Sequence, residues 1–189
     1  MTVLTIDALC AEAHRFSDEE SQHPEPSLFG VTDGKAVGTY LEHKFRDYLQ
    51  TKGFTFQVGS SANGIDFPSL GVDMKVTSIK QPQSSCPFKS ARQKIYGLGY
   101  SLIVFVYSKA DDEANRTATL RITDAIFVES NRTADFQMTY GLLQILEREG
   151  NADDLMAYMS EKNLPVDEIE LNNLAAEILK NPPAQGNRA

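Results

Sequence analysis

The stretch GIDFPSLGVDMKVTS, residues 64–78, decides how the chain is read. Its second half alternates as a strand does: Leu70, Val72, Met74 and Val76 fall on one face, and Gly71, Asp73, Lys75 and Thr77 on the other. Its first half has to turn at PSLG, because Pro68 cannot donate to a ladder and Gly71 permits tight geometry. Such a turn folds Asp66 back toward Asp73. Two carboxylates and a lysine thus sit in an otherwise apolar strand and turn, where unpaired charge costs several kcal/mol.

Three acid-x-lysine triplets occur in the chain: DGK at 33–35, EHK at 42–44 and DMK at 73–75. In a helix, residues two apart splay to different sides, so Glu42 and Lys44 diverge. Asp33 and Lys35 flank a glycine in a loop that fixes no separation. Only Asp73 and Lys75 share a strand face, roughly 6.5–7 Å apart along the backbone. Carboxylates converging in a half-buried cleft repel each other, and a hard divalent cation between them relieves the repulsion. Magnesium suits the place, since it takes oxygen ligands, keeps several waters and commonly adds a substrate phosphate. A neighbouring lysine then orients an attacking water or offsets charge growing on the phosphate. The same residues also fit a plain hairpin, with Asp66 capping the turn and Asp73 paired to Lys75 on a wet face.

Working outward, Val37, Leu41, Phe45 and Leu49 recur at helical spacing from about Lys35 to Lys52, and KGF ends that helix at a glycine. FTFQVG reads as a strand, joined to the quoted stretch through an Asn63-Gly64 turn. A modestly amphipathic helix opens the chain, and SDEESQHPEPS reads as a loop with little chemistry. Downstream, QPQSSCPFKS is a polar loop, ARQKIYGLGY a short helix, and SLIVFVYSK a central strand buried on both faces. TATLRITDAIFVES is another strand. From Thr139 three amphipathic helices follow, with cap signals at Asn151 and Asp167. The order predicts an α/β protein with a mixed β-sheet flanked by helices and a helical C-terminal region. The expected organisation is one domain over 1–189, with a core over 36–130, a helical subregion over 139–180 and a disordered tail over 181–189.

The quoted stretch, preceded by a helix carrying Glu42, resembles the core signature of the PD-(D/E)xK nuclease superfamily, the fold of many type II restriction endonucleases. The resemblance covers roughly residues 36–110. It implies that Asp66 is the first metal-binding aspartate, Asp73 the second metal-binding acid and Lys75 the lysine that handles the nucleophilic water. It further implies that Glu42 is the helix acid close to the metal, and that the Met74 carbonyl adds a ligand. Gln93, in ARQKIYGLGY, resembles a glutamine found on the helix after the motif. Ile65 stands where the family often has proline, and only six residues separate the two acids. Lys80, Lys89, Arg92 and Lys94, together with Gln93, are then expected to contact DNA.

Composition agrees in part. The formal charge of -8 disfavours a polyanion partner, yet Lys44 to Lys109 holds nine basic residues against Asp47, Asp66 and Asp73. No apolar run approaches a membrane span and the N-terminus lacks signal-peptide features, so a cytoplasmic protein is expected, with no membrane partner. Cys10 and Cys86 lack metal spacing and read as small, half-buried side chains. His14, His23 and His43 have no mutual spacing, and no phosphate-cradling glycine loop points to a nucleotide cofactor. The expected activity is magnesium-dependent hydrolysis of DNA phosphodiesters, of restriction type. A non-catalytic DNA-binding module and a junction resolvase-like nuclease stay open beside it. A homodimer is expected for two-fold symmetric cutting, with the apolar faces of residues 154–179 either joining two copies or closing the core.

Overall fold

The computed structural model describes residues 2–59, 64–82 and 87–188, so the expected turn residue Asn63 and the cysteine Cys86 lie outside the described residues. In chain order the elements are β1 (Thr2–Val3), α1 (Ile6–Glu20), β2 (Pro24–Glu25), α2 (Gly34–Thr51), β3 (Phe54–Thr55), β4 (Val72–Ser78), α3 (Ala91–Tyr96), β5 (Ser101–Asp112), β6 (Thr117–Val128), α4 (Phe136–Glu147), α5 (Ala152–Glu161) and α6 (Glu168–Lys180). Four strands form one sheet in the order β2-β6-β5-β4, and β1 pairs with β3 in a second, two-stranded one. β1 and β3 run parallel while β2 and β6 run antiparallel, so the strand pairing is mixed, within an α/β architecture as expected. Among the described residues no helix is long and apolar enough to cross a membrane.

The chain divides into two compact units, Met1–Ser85 with Leu102–Phe127 and Cys86–Ser101 with Val128–Ala189. The first unit is built on α2. Asp33 caps it by accepting from the Lys35 N–H at 2.9 Å, and Val37, Leu41, Phe45 and Leu49 recur every four residues and are all buried. That stripe packs on β4 and meets Leu9, Ala13 and Phe16 of α1 in a single core. Phe45 is its hub, with ring centroids 5.1 Å from both Phe16 and Phe105 and 6.4 Å from Phe67. β5 lies between β6 and β4, as a central strand should. It buries Ile103, Phe105 and Tyr107 deeply while Val104 and Val106 stay half-buried, so its two faces are unequal.

The segments flanking α2 depart from expectation. FTFQVG yields only the two residues of β3, whose partner is the N-terminal β1, through Thr2↔Phe54 and Val3↔Thr55. Of SDEESQHPEPS, residues 17–20 continue α1 and Pro24–Glu25 form β2 on the edge of the sheet. This stretch also carries a polar network. The Tyr40 hydroxyl lies 2.9 Å from Glu20 Oε1 and 3.1 Å from Glu25 Oε2, and Lys44 Nζ pairs with Glu20 at 2.9 Å. Glu20 is buried, so these partners are what make its charge tolerable there.

In the second unit Ala91, Ile95, Met138, Leu142, Leu155, Met159, Leu174 and Ile178 make a separate core. The apolar faces of α5 and α6 therefore close this unit's own interior, leaving Ile169 and Leu179 as exposed exceptions. Asn151 and Asp167 cap α5 and α6 as expected, the first in a capping box with Asp154. The tail, which its composition marks as disordered, is held by its backbone: Asn187 and Arg188 donate to the carbonyls of Arg132 and Ala134 at 2.9 and 3.2 Å. Gly186 sits so close that a Cβ there would come within 2.3 Å of the Ala134 oxygen.

Truncating the hub tests this account of the first core. Phe45→Ala should lower stability by about 3–5 kcal/mol in urea unfolding, and a loss below about 1 kcal/mol would mean that the ring is not the element joining α1, α2 and the sheet.

Candidate active site

The turn inferred from PSLG is present. Phe67 and Val72 exchange backbone hydrogen bonds at 2.9 and 3.2 Å, the Leu70 N–H donates to the Phe67 carbonyl at 3.0 Å, and Gly71 takes a φ of 61°. This loop returns the chain against itself, and Asp66 Oδ2 accepts the backbone N–H of Met74 at 2.9 Å. A strand N–H thus holds the carboxylate in place. On its other side the Asp66 carbonyl accepts from the Gly59 N–H at 3.0 Å. A Cβ on Gly59 would stand 1.7 Å from the Ile65 oxygen, so only glycine permits this approach. No pattern of spacing, hydropathy or charge marks that glycine's part in placing Asp66.

β4 then supplies Asp73 and Lys75. Val72 and Met74 are fully buried on one face of the strand. Asp73, 4% exposed, projects from the other and shares a hydrogen bond with Asp66, while Lys75 Nζ lies 3.0 Å from Asp73 Oδ2. α2 brings the third carboxylate. Gly38, Glu42 and Arg46 follow one another at four-residue spacing along the helix, and a Cβ on Gly38 would be 3.8 Å from Val76 of β4. Glu42 lies within electrostatic reach of Asp66, Asp73 and Lys75. Arg46, four residues on, is the natural surface partner for Glu42 by sequence. Instead its Nε donates to the Glu42 backbone carbonyl at 3.2 Å and its Nη1 lies 3.8 Å from Asp66 Oδ1.

Three carboxyl groups therefore share two cations. Burial, then the hydrogen bond that protonated Asp73 donates to Asp66, pushes Asp73 up to about 6 against the pull of Lys75. Burial, then the charge of Asp66, raises Glu42 as well, with Lys75 and Arg46 opposing. Two carboxyl groups whose ionisation is opposed by burial and by a neighbouring acid are short of positive charge, and oxygen donors in a half-buried place suit a hard divalent ion. Among the described residues no three Asp, Glu, His or Cys side chains close into a ready cage. The donor set fits an ion held by two carboxylates that completes its shell with main-chain, water and substrate oxygens.

Lys80 is exposed at the end of β4 and lines a groove with Glu42 and Lys75. Lys89, Arg92, Gln93 and Lys94 belong to the second unit. Gln93 is engaged locally: its side-chain oxygen accepts from the Lys89 N–H at 2.8 Å and its amide donates to the Leu98 carbonyl at 3.2 Å. Arg92 makes a two-pronged salt bridge to Glu177 and stacks over Tyr96, so its guanidinium has an internal anion competing with any phosphate. The basic middle of the chain is thus not a bare positive surface. Lys44, Arg46, Lys52, Lys75, Arg92 and Lys109 all stand in ion pairs, with acids at 20, 66, 19, 73, 177 and 111.

Comparison with known proteins bears on what this arrangement is for. A family model described as Type II restriction enzyme NspV matches residues 3–188. A curated protein, Type II restriction enzyme NspV of Nostoc sp. (strain ATCC 29411 / PCC 7524), is 67% identical over 186 residues, 98% of this chain and 84% of the relative. No solved structure matches the chain.

The electrostatics give two expectations. The folded chain holds the Asp73 proton more tightly than the unfolded chain, whose aspartates titrate at about 3.9, so this group's contribution to stability falls as pH rises from about 4 to 6. Asp73→Asn, which removes the buried charge, should raise metal-free stability at pH 8 by about 2–3 kcal/mol in urea melts, with the gain vanishing near pH 4. A gain independent of pH would contradict the shift. Arg46→Met should lower metal-free stability at pH 8 by about 1–2 kcal/mol, and added Mg2+ should restore most of it. An equal loss with and without the ion would make Arg46 a packing residue.

Proposed function

Because the chain belongs to the NspV family of type II restriction enzymes, we propose that the acid cluster of α2 and β4 is the centre with which it cuts DNA. The protein is a restriction endonuclease, a hydrolase of DNA phosphodiester bonds. The observation that carries the assignment of its centre is the meeting of Asp66 and Asp73 with Lys75 at 3.0 Å. Type II restriction enzymes generally need a divalent metal, and the donor set here favours Mg2+. The cluster also supports membership of the PD-(D/E)xK superfamily.

In this reading Asp66 and Asp73 would hold the ion, the Met74 carbonyl would add a further ligand, and Glu42 would stand close by. When bound, the ion supplies a Lewis acid for the scissile phosphate and lowers the pKa of an attacking water. Asp66 enters the reaction with Oδ2 already fixed by the Met74 N–H, while Oδ1, which the ion would take, faces the Arg46 guanidinium at 3.8 Å. Lys75 orients the water for in-line attack and offsets charge on the phosphoryl oxygens as it develops. A P–O bond forms to the water oxygen, the bond to the 3′ oxygen breaks, and a proton passes to that leaving oxygen. The products are a 3′-hydroxyl and a 5′-phosphate, by resemblance to the superfamily. Glu42, raised by burial and by its acidic neighbours, acts beside the ion rather than as one wall of a closed cage.

Lys80, Lys89 and Lys94 are proposed as phosphate contacts, and none of them makes an ion pair among the described residues. Symmetric double-strand cutting needs two such centres, which supports a homodimer working in the cytoplasm, where its DNA substrate lies.

Digestion of a long defined DNA in Mg2+, with sequencing of the ends, is the direct test. Asp73→Ala and Lys75→Ala should each slow cutting by at least about a hundredfold while melting cooperatively. Undiminished cleavage by either variant would remove the assignment, and binding without cleavage in any divalent metal would instead mark a DNA-binding module.

A further inference from the structure

One groove of the first unit extends well past the acid cluster. It encloses about 710 Å³ between the N-terminal half of α2, the strand β4 and the outer end of β5. Glu42 and Lys75 stand at one end, so the groove begins where the proposed chemistry occurs. From there α2 contributes Thr39 and Lys35, on the same helix face as Glu42, β4 contributes Thr77 and Ser78, and Lys80 follows just past its end. The far wall carries Lys109, whose ammonium is paired with Asp111.

In a chain of formal charge -8 this lining is an exception: four lysines face two acids, and the hydroxyls between them suit phosphate oxygens. Lys35 is exposed and makes no ion pair among the described residues. A groove of this size takes a drug-sized ligand and far less than a duplex. One strand's sugar-phosphate backbone is narrow enough to lie in it. Lys35 precedes Glu42 by seven residues, about 10 Å of helix, so a strand lying along the groove places more than one phosphate within it.

Resting on the restriction-endonuclease reading, we propose that this groove seats the phosphates flanking the scissile bond, with Lys35 and Lys109 as phosphate contacts beside Lys80. These residues act on the backbone and so position the strand without reading its sequence. Asp111 tempers the groove, because it holds the ammonium that a phosphate would otherwise take.

Binding of a random-sequence duplex, measured without Mg2+ across 50–200 mM salt, separates this from the catalytic assignment because no cutting is needed. Lys35→Ala should flatten the slope of log K against log salt by about 0.9, Lys109→Ala should flatten it by less because Asp111 already holds that ammonium, and both should weaken binding alike on every sequence. Lys52→Ala, at the other end of α2 and paired with Glu19, should leave the slope unchanged. Asp111→Asn should tighten binding several-fold by freeing Lys109. Wild-type slopes in both Lys35→Ala and Lys109→Ala, with unchanged binding by Asp111→Asn, would overturn the groove assignment and leave the cutting centre standing. Failure of the wild type to cut in Mg2+, with the slopes shifted as stated, would do the reverse. Thermal melting of each variant confirms that these surface changes leave the fold intact.

Discussion

The constraint on which the first unit turns is that two aspartates are held against each other in a place with little water. Asp66 and Asp73 share a hydrogen bond, and Asp73 is almost fully buried. Once both are ionised they repel, because like charges at such distances in a half-dry site are costly. The backbone keeps them in place from both sides. The Met74 N–H holds one carboxylate, the Gly59 N–H holds the carbonyl behind it, and the rigid pairing of Phe67 with Val72 fixes the loop between. The apolar stripe of α2 in turn fixes β4. The core around Phe45 is therefore what keeps the acids from relaxing apart, and packing energy far from the site maintains its electrostatic tension.

Much of this could be read from residue order because it depends on local patterns. The four-residue spacing along α2, the alternation in β4, the turn at PSLG and the caps at Asn151 and Asp167 each follow from backbone geometry within a few residues. What escaped depends on partners distant in sequence. Nothing in FTFQVG says that Thr2 and Val3 will pair with it, and nothing in PEP says that Pro24 will lie beside Thr119. Buried Glu20 meets half-buried Tyr40 and Lys44, twenty and more residues away from it in sequence.

The site shows the same division. The convergence of Asp66, Asp73 and Lys75 was legible as strand alternation plus a turn. Glu42 came from resemblance, and the helix stripe of Gly38, Glu42 and Arg46 gives the physical reason for it. Helical spacing offers Arg46 the carboxylate of Glu42, while its guanidinium turns toward Asp66, a partner that local spacing does not reveal. Gly59 was invisible, because a close approach between two backbones leaves no mark in hydropathy or charge.

Charge counted along the chain also differs from charge presented in space, and this has a kinetic meaning. Six of the nine cations between residues 44 and 109 are neutralised by the protein's own acids. Each of these pairs has to open before its cation can displace a counterion from a phosphate, so the six add less to the capture of arbitrary DNA than unpaired lysines do. Association with DNA is therefore steered by fewer charges than the basic count of this stretch suggests.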